Sequence, residues 1–209
     1  MKVVRMTEQT PGRRRRSEQK RAVILEAAES LFASEGFDRV SVDAIADRAG
    51  VSKRTVYDHF ADKRALWERA YTRVADALAR DVGEAIDQEL VSGREIREAL
   101  IGFAERVTTR TLPSNSYSTF RRLDEQASGV AFSGEEERKV PDRLLARRFS
   151  EMTAAGQLHA DDAELAALQY SALTIRLVLN ELRRDEDVGG AERHRLIAAG
   201  VDVFLSAYA

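Results

Sequence analysis

Ser41 to Phe60 reads SVDAIADRAGVSKRTVYDHF, and this stretch decides the fold. Ser41 suits the N-cap of a short helix carrying Val42, Ile45, Ala46 and Ala49, and Ser52 suits the N-cap of a second one reaching about His59. Gly50 lies between them, where a tight turn needs a residue tolerant of positive φ. Two helices crossing steeply over a turn of three or four residues need a small side chain where they touch, which Ala46 supplies. Val56 then pins the second helix from its middle, while Ile45, Val51 and Phe60 form a small core with the preceding helix. Small residue, glycine, apolar pin and two serine caps in register specify a helix-turn-helix rather than an ordinary helical hairpin.

Working outward, Leu25, Ala28, Leu31 and Phe32 recur at helical spacing, predicting a first helix over about residues 17–35 that stops at Gly36. Asp62 caps a fourth helix through Leu66 and Trp67 to about Arg80, with Trp67 expected at the joint between head and body. Beyond Gly83 the spacing stays helical: Ile96, Leu100, Phe103 and Val107 form one stripe, closed by Pro113. Glu135 to Glu137 read as a charged loop, and Pro141 as the first turn of a helix burying Leu145, Phe149 and Met152. The strongest pattern runs from about Asp161 to Arg184. There Leu165, Leu168, Ala172, Ile175, Leu179 and Leu182 alternate steps of three and four, as in a coiled-coil seam. Ile197, Val201, Phe204 and Tyr208 make a matching stripe on the last helix.

The expected architecture is all-α, with a basic disordered arm over 1–16, a three-helix head over 17–63 and a helical bundle over 64–209, the boundary between head and body lying within the fourth helix with no flexible linker. Three prolines and twelve glycines in 209 residues agree with helices joined by short loops. The absence of cysteine excludes disulfides and thiolate chemistry. No apolar run is long enough to span a bilayer and no signal peptide is visible, so a cytoplasmic protein without a membrane partner is expected. The net charge of −2 conceals an asymmetry: 14 basic residues oppose 10 acidic ones up to Arg64, and 19 oppose 25 beyond it. A basic head on an acidic body suggests that the head meets a polyanion.

Surface chemistry of the second short helix agrees. Lys53 and Arg54 fall in its first turn, the end that enters the major groove, and Arg54 can bond guanine O6 and N7 with both arms of its guanidinium. Thr55 offers a hydroxyl to phosphate and a methyl to thymine, Tyr57 and His59 can bond phosphates, and Lys63 opens the next helix. With the cap residues Ser41 and Ser52 these are the candidate contacts to double-stranded DNA. Asp58 must face away from the backbone or accept from cytosine. Arg13 to Arg16 are expected to add phosphate or minor-groove contacts.

The chain resembles the TetR family of bacterial regulators. The resemblance is carried by Ile24 to Phe32 (ILEAAESLF), by Gly36-Phe37, by Ser41 to Phe60 and by Asp62 to Leu66 (DKRAL). It implies a two-fold dimer of nine- or ten-helix chains: three N-terminal helices on DNA, a body that binds a small molecule, and two last helices that pair across the dimer. Many members carry glycine at the position of Arg54, so this chain adds a charge to the reading helix. The apolar stripes from Leu165 to Leu182 and from Ile197 to Tyr208 fit the dimer role.

For the body, Phe103, Tyr117, Phe120, Phe149, Met152, Gln169 and Tyr170 are candidate lining of a pocket for an unidentified effector, weighed against simple core packing. Arg176 is the one charge between Glu164 and Glu181. Buried, it needs an ion pair with a carboxylate such as Asp124 or with the other subunit, or else a ligand contact. His59, His159 and His194 belong to no catalytic or metal motif, so no enzyme, cofactor or metal is expected. The expected function is a DNA-binding repressor released by a ligand. The alternative is a constitutive or architectural DNA-binding protein without an effector.

Overall fold

The computed structural model describes residues 11–130, 132, 134–184 and 189–209, and all regular structure among them is helical. Helix α1 spans Pro11–Glu35, α2 Val42–Ala49, α3 Lys53–His59 and α4 Lys63–Glu89. Helix α5 spans Ile96–Arg106 and continues into a π-helical turn, Val107–Thr111. Helix α6, Asn115–Gln126, ends in a 3₁₀ turn, Ala127–Val130, and α7 covers Glu135–Ala154. Helix α8, Ala163–Ser171, passes through a second π turn, Ala172–Arg176, into α9, Leu177–Arg184; α10 is Gly190–Tyr208. Among the described residues no helix is long and apolar enough to cross a membrane, and no group of His, Asp or Glu side chains could hold a metal.

The chain forms two compact units, one of residues up to 73 with 122–132, the other of 74–121 with 133–209. The boundary falls inside α4, as expected, but at residues 73 and 74 rather than at residue 63, because Leu66, Trp67, Ala70 and Tyr71 on its first turns are fully buried. In the first unit, the head, Trp67 stacks on Tyr71 and meets Phe37 and Phe132 edge-on, at centroid distances of 5.4, 6.3 and 5.3 Å. Trp67 is thus head core, not a joint residue.

Of the expected disordered arm, residues 1–10 lie outside the described residues and 11–16 are the first turns of α1. Arginine is a good helix former, and an Arg14–Glu18 pair at 3.1 Å supports this segment. Residues 14–20 are all exposed, and burial begins with Ile24. Helix α4 also runs nine residues past its expected end at Arg80. One interior Gly83 costs about 1 kcal/mol against alanine, while Leu78, Val82, Ala85 and Ile86 continue the buried face around it. Likewise Glu135, Glu136 and Glu137 are the first turn of α7, where carboxylates favour the positive end of the helix, and Pro141 sits inside it.

The second unit, the body, is centred on Leu100, Phe103, Leu145, Phe149, Tyr170 and Phe204, each under 3% exposed. The Tyr170 hydroxyl donates to Leu100 O at 2.6 Å, and burial pushes this phenol up from its ordinary value. The expected seam of coiled-coil type is not continuous. The π turn at Ala172–Arg176 adds residues per turn, so the helix changes face halfway. Leu165 and Leu168 are 46% and 44% exposed and Ala172 is exposed, whereas Ile175, Leu179 and Leu182 turn inward to partial burial. The last-helix stripe is also corrected: Ile197, Val201 and Phe204 are at most 1% exposed inside their own body. Tyr208 stacks on Phe204 at 4.7 Å. Helix α10 can lie this close because it carries Gly200, where a Cβ would come within 2.1 Å of Leu173 O.

Candidate nucleic-acid interface and ligand cavity

The reading head is held by backbone caps. Ser41 Oγ accepts from Ala44 N at 3.1 Å, and Gly50 adopts φ +65°, donating to Asp47 O while Val51 N reaches back to Ala46 O at 3.0 Å. Ser52 Oγ accepts from Thr55 N at 3.1 Å and lies 2.9 Å from Thr55 Oγ1. Ile45, Ala46 and Val56 are buried between the helices, as the spacing predicts. Asp62 Oδ1 accepts from Ala65 N at 2.7 Å and starts α4.

This leaves one face of α3 open. Arg54 and Asp58 are exposed, and Arg54 makes no hydrogen bond or ion pair among the described residues. Tyr57 is 47% exposed, a large ring left in water on the same helix. Lys53 Nζ reaches Asp43 Oδ2 at 2.8 Å, and that bond raises the lysine above its ordinary pKa. The pair ties the start of α3 to α2. Thr55 and His59 are half-buried. Lys63 is differently placed from expectation: its ammonium sits 4.3 Å over the Phe37 ring and 3.5 Å from Asp38 O, so it also braces the loop after α1. Arg21 lies 4.9 Å over Phe60, at the end of α3.

The body contains a cavity of 220 Å³. Its most buried walls are Phe103, Val107, Thr111, Leu145 and Ser171, with Leu78 and Val82 of α4 beside them. Of the expected pocket residues, Phe103, Tyr117, Phe120 and Arg176 line it. Phe149 and Tyr170 are core instead, packed edge to face at 5.6 Å. Met152 is buried and borders a separate, polar hollow, and Gln169 faces out, its Oε1 accepting from the Tyr208 hydroxyl at 2.6 Å. Ile175 and Leu179, expected at the dimer seam, are cavity wall, which the π turn explains.

Arg176 is not buried as expected; its side chain is 59% exposed, and its nearest carboxylate is Asp142 at 3.9 Å. Asp124 instead accepts from the Tyr71 hydroxyl at 2.7 Å inside the head. Burial raises the Asp142 carboxyl above its ordinary value, and Arg176 offsets part of that. Thr111, Arg138, Asp142 and Ser171 were missed as lining. Small hydroxyl residues and a salt-bridging carboxylate carry no periodic signal, since only the packing of α5, α7 and α8 gathers them.

Comparison with known proteins places this geometry. Residues 24–70 match the description "Bacterial regulatory proteins, tetR family", and residues 129–209 match "AefR-like transcriptional repressor, C-terminal domain". The chain is similar to the flavonoid-responsive regulator FrrA, at 31% identity and a TM-score of 0.72 over 91% of this chain and 97% of FrrA. It is similar to a crystal structure from Mesorhizobium loti MAFF303099 assigned to TetR-family transcriptional regulators, at 26% identity and a TM-score of 0.78 over 92% and 98%. A third likeness is to the transcriptional activator FasR of Mycolicibacterium smegmatis, 34% identical over 92 residues. That match covers 44% of this chain and 42% of FasR, so the chain spans less than half of that relative.

Proposed function

The chain belongs to the TetR family of bacterial DNA-binding transcriptional regulators, and from that premise we propose that it is a homodimeric repressor released from a pseudo-palindromic operator by a small molecule. The observation that carries this reading is the pairing of an open, capped α3 with a cavity in the other unit along the same helix. Leu66 to Tyr71 of α4 belong to the head core, and Leu78 and Val82 of α4 line the cavity. Helix α6 is shared in the same way, with Tyr117 and Phe120 on the cavity and Leu123 in the head core. Two recognition helices must keep a fixed half-site spacing, so a ligand that shifts α4 and α6 spoils the fit. A tenfold preference for the DNA-incompetent state shifts the equilibrium by only about 1.4 kcal/mol, so induction needs a well-fitted pocket.

Repression is supported by the C-terminal match to a repressor domain, and a small-molecule trigger by the likeness to a flavonoid-responsive regulator over nearly its whole length. Self-association is supported by the exposed apolar side chains Leu165 and Leu168 on α8, Ala172 at the start of the π turn and Val203 on α10, which replace Ile197, Val201 and Phe204 in that role. On DNA, Arg54 reads a base, Lys53, Thr55, Tyr57, His59 and Lys63 position the backbone, and Arg13 to Arg16 bind further phosphates.

The test is selection of bound sites from random DNA, followed by affinity titrations across salt concentrations. The expected site is a two-fold repeat, and Arg54→Ala weakens binding to it by about 1–3 kcal/mol while relaxing one base position in each half. Serine at Arg13 to Arg16 lowers the salt slope by up to about 0.9 for each phosphate that is no longer neutralised. A site without internal symmetry, or a preference unchanged by Arg54→Ala, refutes the reading.

A further inference from the structure

Two charged side chains of opposite sign occupy the outward face of α3. Arg54 and Asp58 stand two residues to either side of Val56, the buried pin of this helix, so each lies about 200° around the axis from it. That direction is nearly opposite the core, which puts Asp58 at the centre of the reading surface and not on its flank. Neighbouring side chains of α3 are engaged otherwise: Lys53 is held by Asp43 at 2.8 Å, and the Thr55 hydroxyl lies 2.9 Å from the Ser52 cap. Arg54 and Asp58 have the i, i+4 spacing at which an ion pair could form. Both are exposed, yet neither makes a hydrogen bond or ion pair among the described residues.

Fold stability gives no reason for this carboxylate. Asp58 lies in the last turn of α3, where the negative end of a helix disfavours an anion, and the C-cap position belongs to Phe60. On a surface that meets phosphates it also repels every DNA sequence alike. That repulsion is offset only where the carboxylate meets a donor, and the major-groove edges carry donors only on cytosine N4 and adenine N6. Adenine sets its N7 acceptor beside that amine, whereas cytosine shows the amine alone; guanine and thymine offer acceptors and no donor. Four residues of α-helix rise about 6 Å and base pairs are about 3.4 Å apart, so the two side chains span about two base steps.

We propose that Asp58 is a second base-reading residue, its carboxylate accepting from cytosine N4 about two base pairs from the guanine bonded by Arg54. It selects chiefly by rejection: at a cognate half-site the carboxylate is paired with the amine, and elsewhere it faces acceptors or phosphates. This rests on the DNA-reading role of α3 given above and adds a second position to its specificity.

The experiment repeats the selection from random DNA with the full-length wild type, Arg54→Ala, Asp58→Asn and Asp58→Ala, and measures affinity for the selected site and for random-sequence DNA. The wild type is expected to require cytosine about two base pairs from the position that Arg54→Ala relaxes. Asp58→Asn moves the preference there from cytosine to adenine, since an amide can bond adenine N6 and N7 together. Asp58→Ala lowers the ratio of cognate to random-sequence affinity about 5- to 20-fold, the lower part of the range for one mismatched base pair, and binds random DNA more tightly than the wild type. Both Asp58 variants keep a thermal midpoint at or above that of the wild type, as an exposed position in the last helical turn requires. Loss of preference at the Arg54 position alone would make Asp58 a buttress of Arg54 and overturns the proposal, as does a site unchanged by both Asp58 variants. Either result, with a two-fold, Arg54-dependent site recovered, leaves the DNA-reading role of α3 standing; no selected site from the wild type overturns both.

Discussion

Head and body are both helical, but they hold their helices by different means. In the head, short helices are set by local backbone chemistry: serine caps at α2 and α3, the left-handed Gly50 and the aspartate that starts α4. An aromatic cluster of Phe37, Trp67, Tyr71 and Phe132 then fills the core behind them. In the body, helices are interrupted by two π turns, cross closely at Gly200 and leave a cavity. The difference suits the two proposed tasks. A DNA-reading surface gains from a fixed geometry, while a ligand chamber needs space that regular packing would close.

The largest effect is expected from a charge placed on each candidate interface stripe of the body. Val201→Glu places a carboxylate at a fully buried position and is expected to destabilise the chain by at least about 3 kcal/mol, seen as loss of cooperative thermal unfolding. Leu168→Glu, on the exposed stripe, keeps the helical spectrum and the thermal midpoint of a folded chain but gives a monomer in sedimentation. A folded, monomeric Val201→Glu protein would return the last-helix stripe to the subunit interface.

Next in size is the helix crossing. Gly200→Ala forces a methyl group towards Leu173 O and Thr174 Cγ2, and overpacking of this kind costs about 1–3 kcal/mol or more. Chemical denaturation should show that loss, while an equally conservative Gly83→Ala, with open space around its Cβ, is expected to be neutral or stabilising. Equal effects of the two changes would mean that the π turn yields and that the crossing is loose.

Legibility in the sequence follows the same division. Ser41, Gly50, Ser52, Val56 and Asp62 could be read because a cap or a left-handed turn is decided within four residues of chain, and each one does in the structure what its neighbours dictate. The body stripes mislead for an equally physical reason. Leu165 to Leu182 is apolar at steps of three and four, but a π turn at Ala172–Arg176 rotates the second half of that pattern into the cavity. Nothing in Leu-Thr-Ile-Arg signals a wider turn; it is stabilised by packing against α10 at Gly200. Phe103, Tyr117, Phe120 and Arg176 were legible as cavity residues. Thr111 and Ser171 were not, because a hydroxyl on a helix is ordinarily satisfied by a carbonyl four residues back, as Thr108 and Thr174 are.

The smallest effect compares one partly buried carboxylate from each unit. Glu29 in the head lies 3.4 Å from Arg73 and Asp142 in the body 3.9 Å from Arg176, so each has the form of a stabilising ion pair. Yet both carboxyls lie above their ordinary values of 4.5 and 3.8, because desolvation by burial outweighs the arginine that pulls them down. A folded-state value above the unfolded one means that the native protein holds its proton longer. Below the unfolded value both states are protonated and there is no contribution. As pH rises through the window between the two values the unfolded chain releases its proton first, and native stability falls; above the folded value the loss is complete and constant. Glu29→Gln and Asp142→Asn are therefore expected to raise the thermal midpoint near about pH 7 and to flatten its decline from about pH 4 upward. The Glu29 effect is the larger, since its side chain is 16% exposed against 34% for Asp142, and water screens the second charge more. The check is thermal unfolding across pH for the wild type and both variants. A midpoint lowered by Glu29→Gln at neutral pH would show that the Arg73 contact outweighs desolvation in the head, and that ion pairing stabilises there what it does not stabilise in the body.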